Sequence, residues 1–253
     1  MNNENKTILA SIKTSVEREA KKTSPWRKER ECNLAEELEL ITEIGKTLEP
    51  RFVLGDSERT VYENIILWLH ASKDAECVNP VNDKLVQADL TKGLYIGGPV
   101  GSGKTLCTEI FRLYCGAKVF PIAFAVDLSN PTAKVGDDKY RYIHWSDTQS
   151  QKICDYYAIN GGTVEYEPGR RRILTIQDLG TEREFTDYRG NKTDVLRNLI
   201  EIRSTFANQM LIVTSNLALG GDALRTRYGE RAASRLCEMC NYYPLGSPDH
   251  RLR

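Results

Sequence analysis

No apolar run in this sequence is long enough to cross a bilayer. The longest, Val119–Val126, spans eight residues and carries Pro121, whereas a helical span needs about 20. Net charge is also absent. Lys and Arg total 35 against 35 Asp and Glu, which excludes a wholesale polyelectrolyte binder but permits local patches. Two such patches stand out: Arg170-Arg171-Arg172, and the set Arg225, Arg227, Arg231, Arg235, Arg251 and Arg253 near the end of the chain. The opening Met1-Asn2-Asn3-Glu4-Asn5-Lys6 lacks the basic-then-apolar order of a secretory signal. The seven cysteines are odd in number and scattered. Reduced thiols and a cytoplasmic protein are therefore expected. The chain holds one Cys-x-x-Cys, Cys237-Glu238-Met239-Cys240, with no second pair. A zinc site completed by Cys32 or His250 competes with a plainer reading, two small buried residues on a helix. Internal repeats and low-complexity tracts are missing as well.

What is present fits one core domain of about 150–200 residues with a smaller appendage. Residues 1 to about 30 are polar and mixed in charge, with a basic cluster at Arg27-Lys28-Glu29-Arg30. Leu34, Leu38, Ile41 and Ile44 mark an acidic amphipathic helix over 33–46. A second helix is expected after Thr60, with Thr60 and Glu63 as a capping box and Val61, Ile65, Trp68 and Leu69 as its apolar face. Residues 71–92 read as a polar connection. From Gly93 onward, strands (94–97, 119–126, 140–145, 172–177, 210–215) alternate with helices (104–115, 147–159, 192–207, and short ones near 219–227 and 230–240). Such alternation predicts a parallel sheet between helix layers. We divide the chain into a helical, partly loose N-terminal region (1–60) and a core domain (61–253).

The most informative segment is Gly98-Pro99-Val100-Gly101-Ser102-Gly103-Lys104-Thr105, followed by Leu106. It comes after the apolar run Leu94-Tyr95-Ile96 and opens a helical stretch, the context a phosphate-binding loop requires. Glycines allow a tight turn and close backbone approach. Successive N–H groups at a helix N-terminus then form an anion nest. Lys104 is placed to reach terminal phosphates, and the Thr105 hydroxyl to ligate Mg²⁺. A nucleoside triphosphate is the expected ligand.

Later segments narrow the class. Ile173-Leu174-Thr175-Ile176 runs into Gln177-Asp178-Leu179-Gly180, placing Asp178 at a strand tip. There a carboxylate holds Mg²⁺ and polarises water, or simply makes a turn. Met210–Val213 runs into Thr214-Ser215-Asn216, where an amide orients water near the γ-phosphate, or again marks a turn. Arg231 and Arg235, four apart, share a helix face. They are a solvated surface or an arginine finger acting on a neighbouring subunit. Arg251 is a further candidate phosphate sensor. The triplet Arg170–Arg172 fits a solvated turn or a phosphate contact, and lacks the interleaved aromatics of a single-strand binder.

Taken together, these segments resemble the helicase-loader and transposition-helper branch of the AAA+ ATPases, the DnaC/IstB type, over roughly residues 60–253. The likeness lies in Lys92-Gly93 before the loop, Asp178-Leu179-Gly180, Thr214-Ser215-Asn216 and Tyr228-Gly229-Glu230-Arg231 with Ser234-Arg235-Leu236. The resemblance implies a three-layer αβα P-loop NTPase core that binds ATP and Mg²⁺, assembles as a homo-oligomer and contacts single-stranded DNA. Its N-terminal region would grip a replicative helicase or a transposase. It makes Lys104 and Thr105 the Walker A pair, Asp178 the Walker B acid, Asn216 sensor 1, Arg235 the finger with Arg231 beside it, and Arg251 sensor 2. The short stretch after Asn216 is expected to leave no room for a full AAA+ lid domain. One departure matters. The family commonly has two consecutive acids where this chain has Gln177-Asp178, so hydrolysis is in question, and Glu182 is the nearby acid to examine.

Overall fold

The computed structural model describes residues 32–115, 122–129, 172–188, 191–205 and 209–246. Two amphipathic helices lead, α1 (Leu34–Leu48) and α2 (Asp56–Leu69). They bury Leu38 and Ile41 from the first, and Val61, Ile65, Trp68 and Leu69 from the second. A short hairpin, β1 (Glu76–Val78) and β2 (Leu85–Gln87), precedes β3 (Gly93–Gly97) and α3 (Lys104–Cys115). The chain continues through β4 (Ile122–Phe124), α4 (Ala125–Ser129), β5 (Arg172–Leu179) and a second hairpin, β6 (Thr186–Tyr188) with β7 (Asn191–Thr193). It closes with α5 (Val195–Arg203), β8 (Gln209–Ser215), α6 (Asp222–Met239) and β9 (Cys240–Pro244).

The main sheet has the order β2-β1-β9-β3-β8-β5-β4. Strands β9, β3, β8, β5 and β4 are mutually parallel, and β1 and β2 extend the β9 side antiparallel. Parallel neighbours need crossovers, which here are helical and cover both faces. Because side chains alternate along a strand, each strand feeds two cores. Leu94, Ile96, Ile173, Met210, Ile212 and Tyr243 pack with α1, α2 and α3. Tyr95, Leu174, Ile176, Leu211, Val213 and Tyr242 pack with α4, α5 and α6. The result is three layers, αβα. With the glycine-rich loop joining β3 to α3, and β8 inserted between β3 and the acid-bearing β5, this is an α/β P-loop NTPase fold. No helix among the described residues is long and apolar enough to cross a membrane.

Several sequence expectations need correction. Helix α2 begins at Asp56, after Gly55, with Glu58 N and Arg59 N donating to the Gly55 carbonyl. Thr60 is therefore interior, and Glu63 pairs with Arg59 at 2.9 Å instead of closing a capping box. Residue 60 lies inside α2, and α1, α2 and α3 share one apolar cluster. The supposed polar connection contains β1 and β2. Strand β4 gives way to helix at Ala125, because Ala125 and Leu128 turn into the core under α5. Asp194 starts α5 by accepting from Arg197 N at 3.1 Å, so residues 191–193 remain free to pair in the hairpin. Cys240 opens β9 rather than continuing a helix. The elements expected at 140–145 and 147–159 lie outside the described residues, as do residues 119–121 of the strand expected at 119–126.

One polar joint is buried beneath the helices. Tyr114, near the end of α3, donates its hydroxyl to Glu37 of α1 at 2.7 Å. His70, capping α2, lies 2.9 Å from the same hydroxyl. Since the hydroxyl proton goes to Glu37, its oxygen accepts from His70 Nε2. Burial, and then Glu37, push the Tyr114 hydroxyl above the usual tyrosine range.

Strand β3 passes unusually close to β8 at its start. A Cβ on Gly93 would sit 1.8 Å from the Leu211 carbonyl oxygen, and strand backbone cannot yield as a flexible side chain can. Gly93→Ala is therefore expected to destabilise the fold by about 3 kcal/mol or more, read as a lowered urea midpoint. An unchanged midpoint would refute this packing.

Candidate nucleotide site

Gly97, Ser215 and Leu179 are register partners across β3, β8 and β5. Three parallel strands thus finish level, and the residues beyond them share the carboxyl edge of the sheet, where α/β proteins place ligands. The glycine-rich loop leaves β3 there, Asn216 leaves β8, and Asp178 lies at the tip of β5. At about 4.8 Å per strand, the span from Gly97 to Leu179 is roughly 10 Å.

The loop is anchored on both sides. Gly98 N donates to the Ser215 carbonyl at 3.1 Å, and Leu245 N, just beyond β9, donates to the Gly97 carbonyl at 2.7 Å. A Cβ on Gly98 would meet the Leu245 carbonyl oxygen at 2.2 Å, so only glycine lets the loop pass under β9. Pro99 and Val100 form the exposed tip, while Ser102 is buried. Lys104 opens α3 and is only 5% exposed. Its ammonium donates to the carbonyls of Gly98 at 2.9 Å and Pro99 at 2.7 Å, so it lies within the loop. Thr105 and Leu106 are half-buried in the first helical turn. That turn points N–H groups without intrahelical partners at the loop.

Asp178 occupies a β-bulge. Pairing with β8 slips between Ile176 and Leu179, where three residues of β5 advance against two of β8. Its φ is +58°, a left-handed conformation that costs a non-glycine residue about 1–3 kcal/mol. The bulge is held from the side by Thr214, whose buried hydroxyl accepts from Asp178 N at 2.9 Å. From beyond, Thr181 donates both N–H and hydroxyl to the Asp178 carbonyl. The half-buried carboxylate is thereby re-aimed off the strand's alternation.

Gln177 is fully buried. Its Nε2 donates to Thr108 on α3 at 2.8 Å, and Thr108 donates to the Thr105 carbonyl at 2.8 Å. The amide therefore ties β5 to the helix that carries the loop. Its Oε1 is buried with no partner. No charge stands where the resembled family places its first acid.

Glu182 cannot supply that charge. Its side chain is completely buried. One oxygen accepts from Gly180 N at 2.8 Å, and the other from Arg227 at 2.6 Å and from the Tyr228 hydroxyl at 2.5 Å. Arg227 reaches on to Asp194 at 3.1 Å and lies over the Tyr228 ring. Burial raises the Asp194 carboxyl pKa although Arg227 opposes it. Burial opposes the charge on Arg227, but Tyr228, Glu182 and Asp194 together hold it protonated. This cluster escaped the sequence reading. A usable signal was present but not read: Asp194, a residue type that caps helices, directly precedes the helical pattern Val195, Leu196, Leu199 and Ile200.

Asn216 is exposed, directly beyond Ser215. The Ser215 hydroxyl donates to the Leu179 carbonyl at 2.6 Å and accepts from Leu217 N, closing the gap between β8 and β5. Arg231 and Arg235 lie beyond a break in α6 at Gly229, φ +80°, as the two-helix expectation required. They sit in the helix layer opposite α3. Arg231 is within 3.5 Å of Glu201 on α5, and Arg235 within 2.6 Å of Glu238. Arg251 lies outside the described residues, as do Arg170, Arg171 and His250. Among the described residues no cluster of three or more His, Cys, Asp or Glu is arranged to hold a metal. Cys107, behind the loop, is pushed up to about 12 by burial and is a packing residue.

No protein-family model matches the chain, and no curated protein does. Among solved structures it is similar to DnaI, at 20% identity over 63% of this chain and 73% of that one, with a TM-score of 0.38. It is also similar to the DnaC helicase loader, at 18% identity over 78% of this chain and 95% of that one, with a TM-score of 0.37. The fold assignment rests on the chain's own strand order, not on these likenesses.

Thr214→Val keeps the shape but leaves Asp178 N without its acceptor. We expect a loss of about 1–3 kcal/mol in chemical unfolding. Full stability in this variant would show that the bulge does not depend on Thr214.

Proposed function

We propose that the chain is an ATP-binding and ATP-hydrolysing AAA+ accessory protein of DNA replication or mobile-element DNA transactions. It would load a helicase or assist a transposase on single-stranded DNA in the cytoplasm. The observation that carries the ATPase part is the insertion of β8 between β3 and β5, which sets Asn216 between the phosphate loop and Asp178. The DNA and partner parts rest on the sequence resemblance.

The residues suit a nucleotide with Mg²⁺. The glycine cradle would be filled by a Cβ at Gly98, and the Thr105 hydroxyl and Asp178 carboxylate are the hard oxygen donors that Mg²⁺ takes. The ion, when bound, would offset charge on the terminal phosphates. Lys104 and the α3 N-terminus bind and orient those phosphates. Asp178 accepts a proton from water, and the Asn216 amide orients that water. Arg235, with Arg231 beside it, would complete a neighbouring subunit's site, with Arg251 as sensor. A homo-oligomer follows from that role.

A second reading has its own support. Gln177 is neutral and engaged with Thr108, and Glu182 is engaged by Arg227, so a single carboxylate serves the site. With Asp178 the one carboxylate that Gln177, Asp178 and Glu182 together offer the site, the arrangement favours a nucleotide-dependent interaction module with little turnover, a switch with two states.

ATP binding and turnover, with and without single-stranded DNA, separate the two. DNA-dependent turnover supports the loader, and tight binding without ADP production supports the module. Lys104→Ala is expected to weaken ATP binding by about 100-fold or more. Normal affinity would sink the site assignment. Arg235→Ala should leave monomer binding intact and lower oligomer-dependent turnover by about 100-fold or more. Unchanged turnover at high protein concentration would move the finger to Arg231 or out of α6.

A further inference from the structure

We propose that Glu182 and Arg227 are positioning residues that fix the Asp178 bulge and couple it to the arginine-bearing half of α6. The inference rests on the hydrolysis reading above and assigns two residues which the resemblance did not.

The argument starts from strain. Asp178 holds a positive φ that persists only if its surroundings over-determine it. Thr214 secures the β8 side. The far side is the turn Gly180–Glu182, and what holds that turn is the Glu182 carboxylate, bonded to Gly180 N at 2.8 Å. A buried carboxylate is costly unless paired and hydrogen-bonded. Arg227 and Tyr228 meet both needs on its other oxygen. Arg227 also donates to the Arg183 carbonyl at 3.2 Å and to Asp194. One guanidinium thus gathers the turn after β5, the cap of α5 and the first half of α6.

Two residues beyond Arg227, Gly229 breaks the helix. Arg231 and Arg235 follow beyond that break. The path therefore runs along the backbone from Asp178 to Gly180, and from there by hydrogen bonds through Glu182 to Arg227 and Tyr228, beside the break that precedes the two arginines. The turn beside Asp178 and the helix that bears the two arginines thus share one charge pair, with Glu182 buried and Arg227 partly exposed. Neither Glu182 nor Arg227 needs to touch nucleotide to act this way.

The test uses the full-length protein, with ATP affinity measured by a fluorescent analogue and turnover measured at saturating ATP and single-stranded DNA. Glu182→Gln keeps the acceptor for Gly180 N but removes the charge facing Arg227. Arg227→Lys keeps the charge but loses the fork that joins Glu182 to Asp194. Each is expected to lower kcat about 10-fold or more while ATP affinity stays within about 2-fold. The double variant should be no worse than the poorer single one, because the pair acts as a unit. Turnover within about 2-fold of wild type in either folded variant would overturn the proposal. So would equal losses of affinity and turnover, or additive losses in the double variant. If Glu182→Gln does not fold, Arg227→Lys decides. Wild-type protein that binds ATP without turnover would overturn the hydrolysis reading, and this inference with it. That result is distinct from a wild type that turns over and variants that match it.

Discussion

Everything at the site depends on three parallel strands ending level. The Gly97–Ser215–Leu179 register is the constraint, and the molecule defends it in several places. Gly93 lets β3 lie against β8 without a side chain intervening. The Ser215 hydroxyl reaches across to β5. Gly98 is bonded to β8, and Gly97 to the segment after β9. A slip of one residue would exchange the two apolar faces and carry Asn216 away from Asp178. Packing and site geometry are thus one requirement.

Charge is used sparingly around that edge. Lys104 satisfies its ammonium on loop carbonyls, Gln177 replaces a charge with an amide, and Glu182 is matched within its own cluster. Asp178 remains as the carboxylate at the tip of β5. Glu182 is buried and Arg227 partly exposed, so the pair adds little net stability, but losing Arg227 leaves a buried carboxylate without its charge partner. Such a pair defines one geometry, consistent with its place beside a strained bulge.

Much of this was legible in the sequence, for physical reasons. The phosphate loop is a local pattern whose glycines and lysine act within a few residues, and α3 appeared at its expected bounds. Apolar runs marked β5 and β8 because both are covered on two faces. The two short helices expected near 219–227 and 230–240 meet at the break in α6. The failures are equally particular. Strand β9 is buried on both faces and holds Asn241 and Pro244, so neither alternation nor apolar continuity marked it. Strands β1 and β2 are three residues each and exist by pairing, which no local pattern records. Helix α2 was begun late because Thr60 and Glu63 imitate a cap while Gly55, with no side chain, starts the helix. The Glu182–Arg227–Asp194 cluster joins residues more than thirty apart, and charged side chains at that separation carry no sign of meeting.

The joint of Glu37, Tyr114 and His70 gives α3 a mechanical character. The helix is about 18 Å long, with the phosphate loop at one end and a buried polar weld to α1 and α2 at the other. A rod clamped at its far end behaves as a strut. Load applied to the leading helix would reach the loop along the rod's axis as well as through the sheet, to which the Gln177–Thr108 bond ties the rod. The first helices are therefore a footing for α3 at the end opposite its loop.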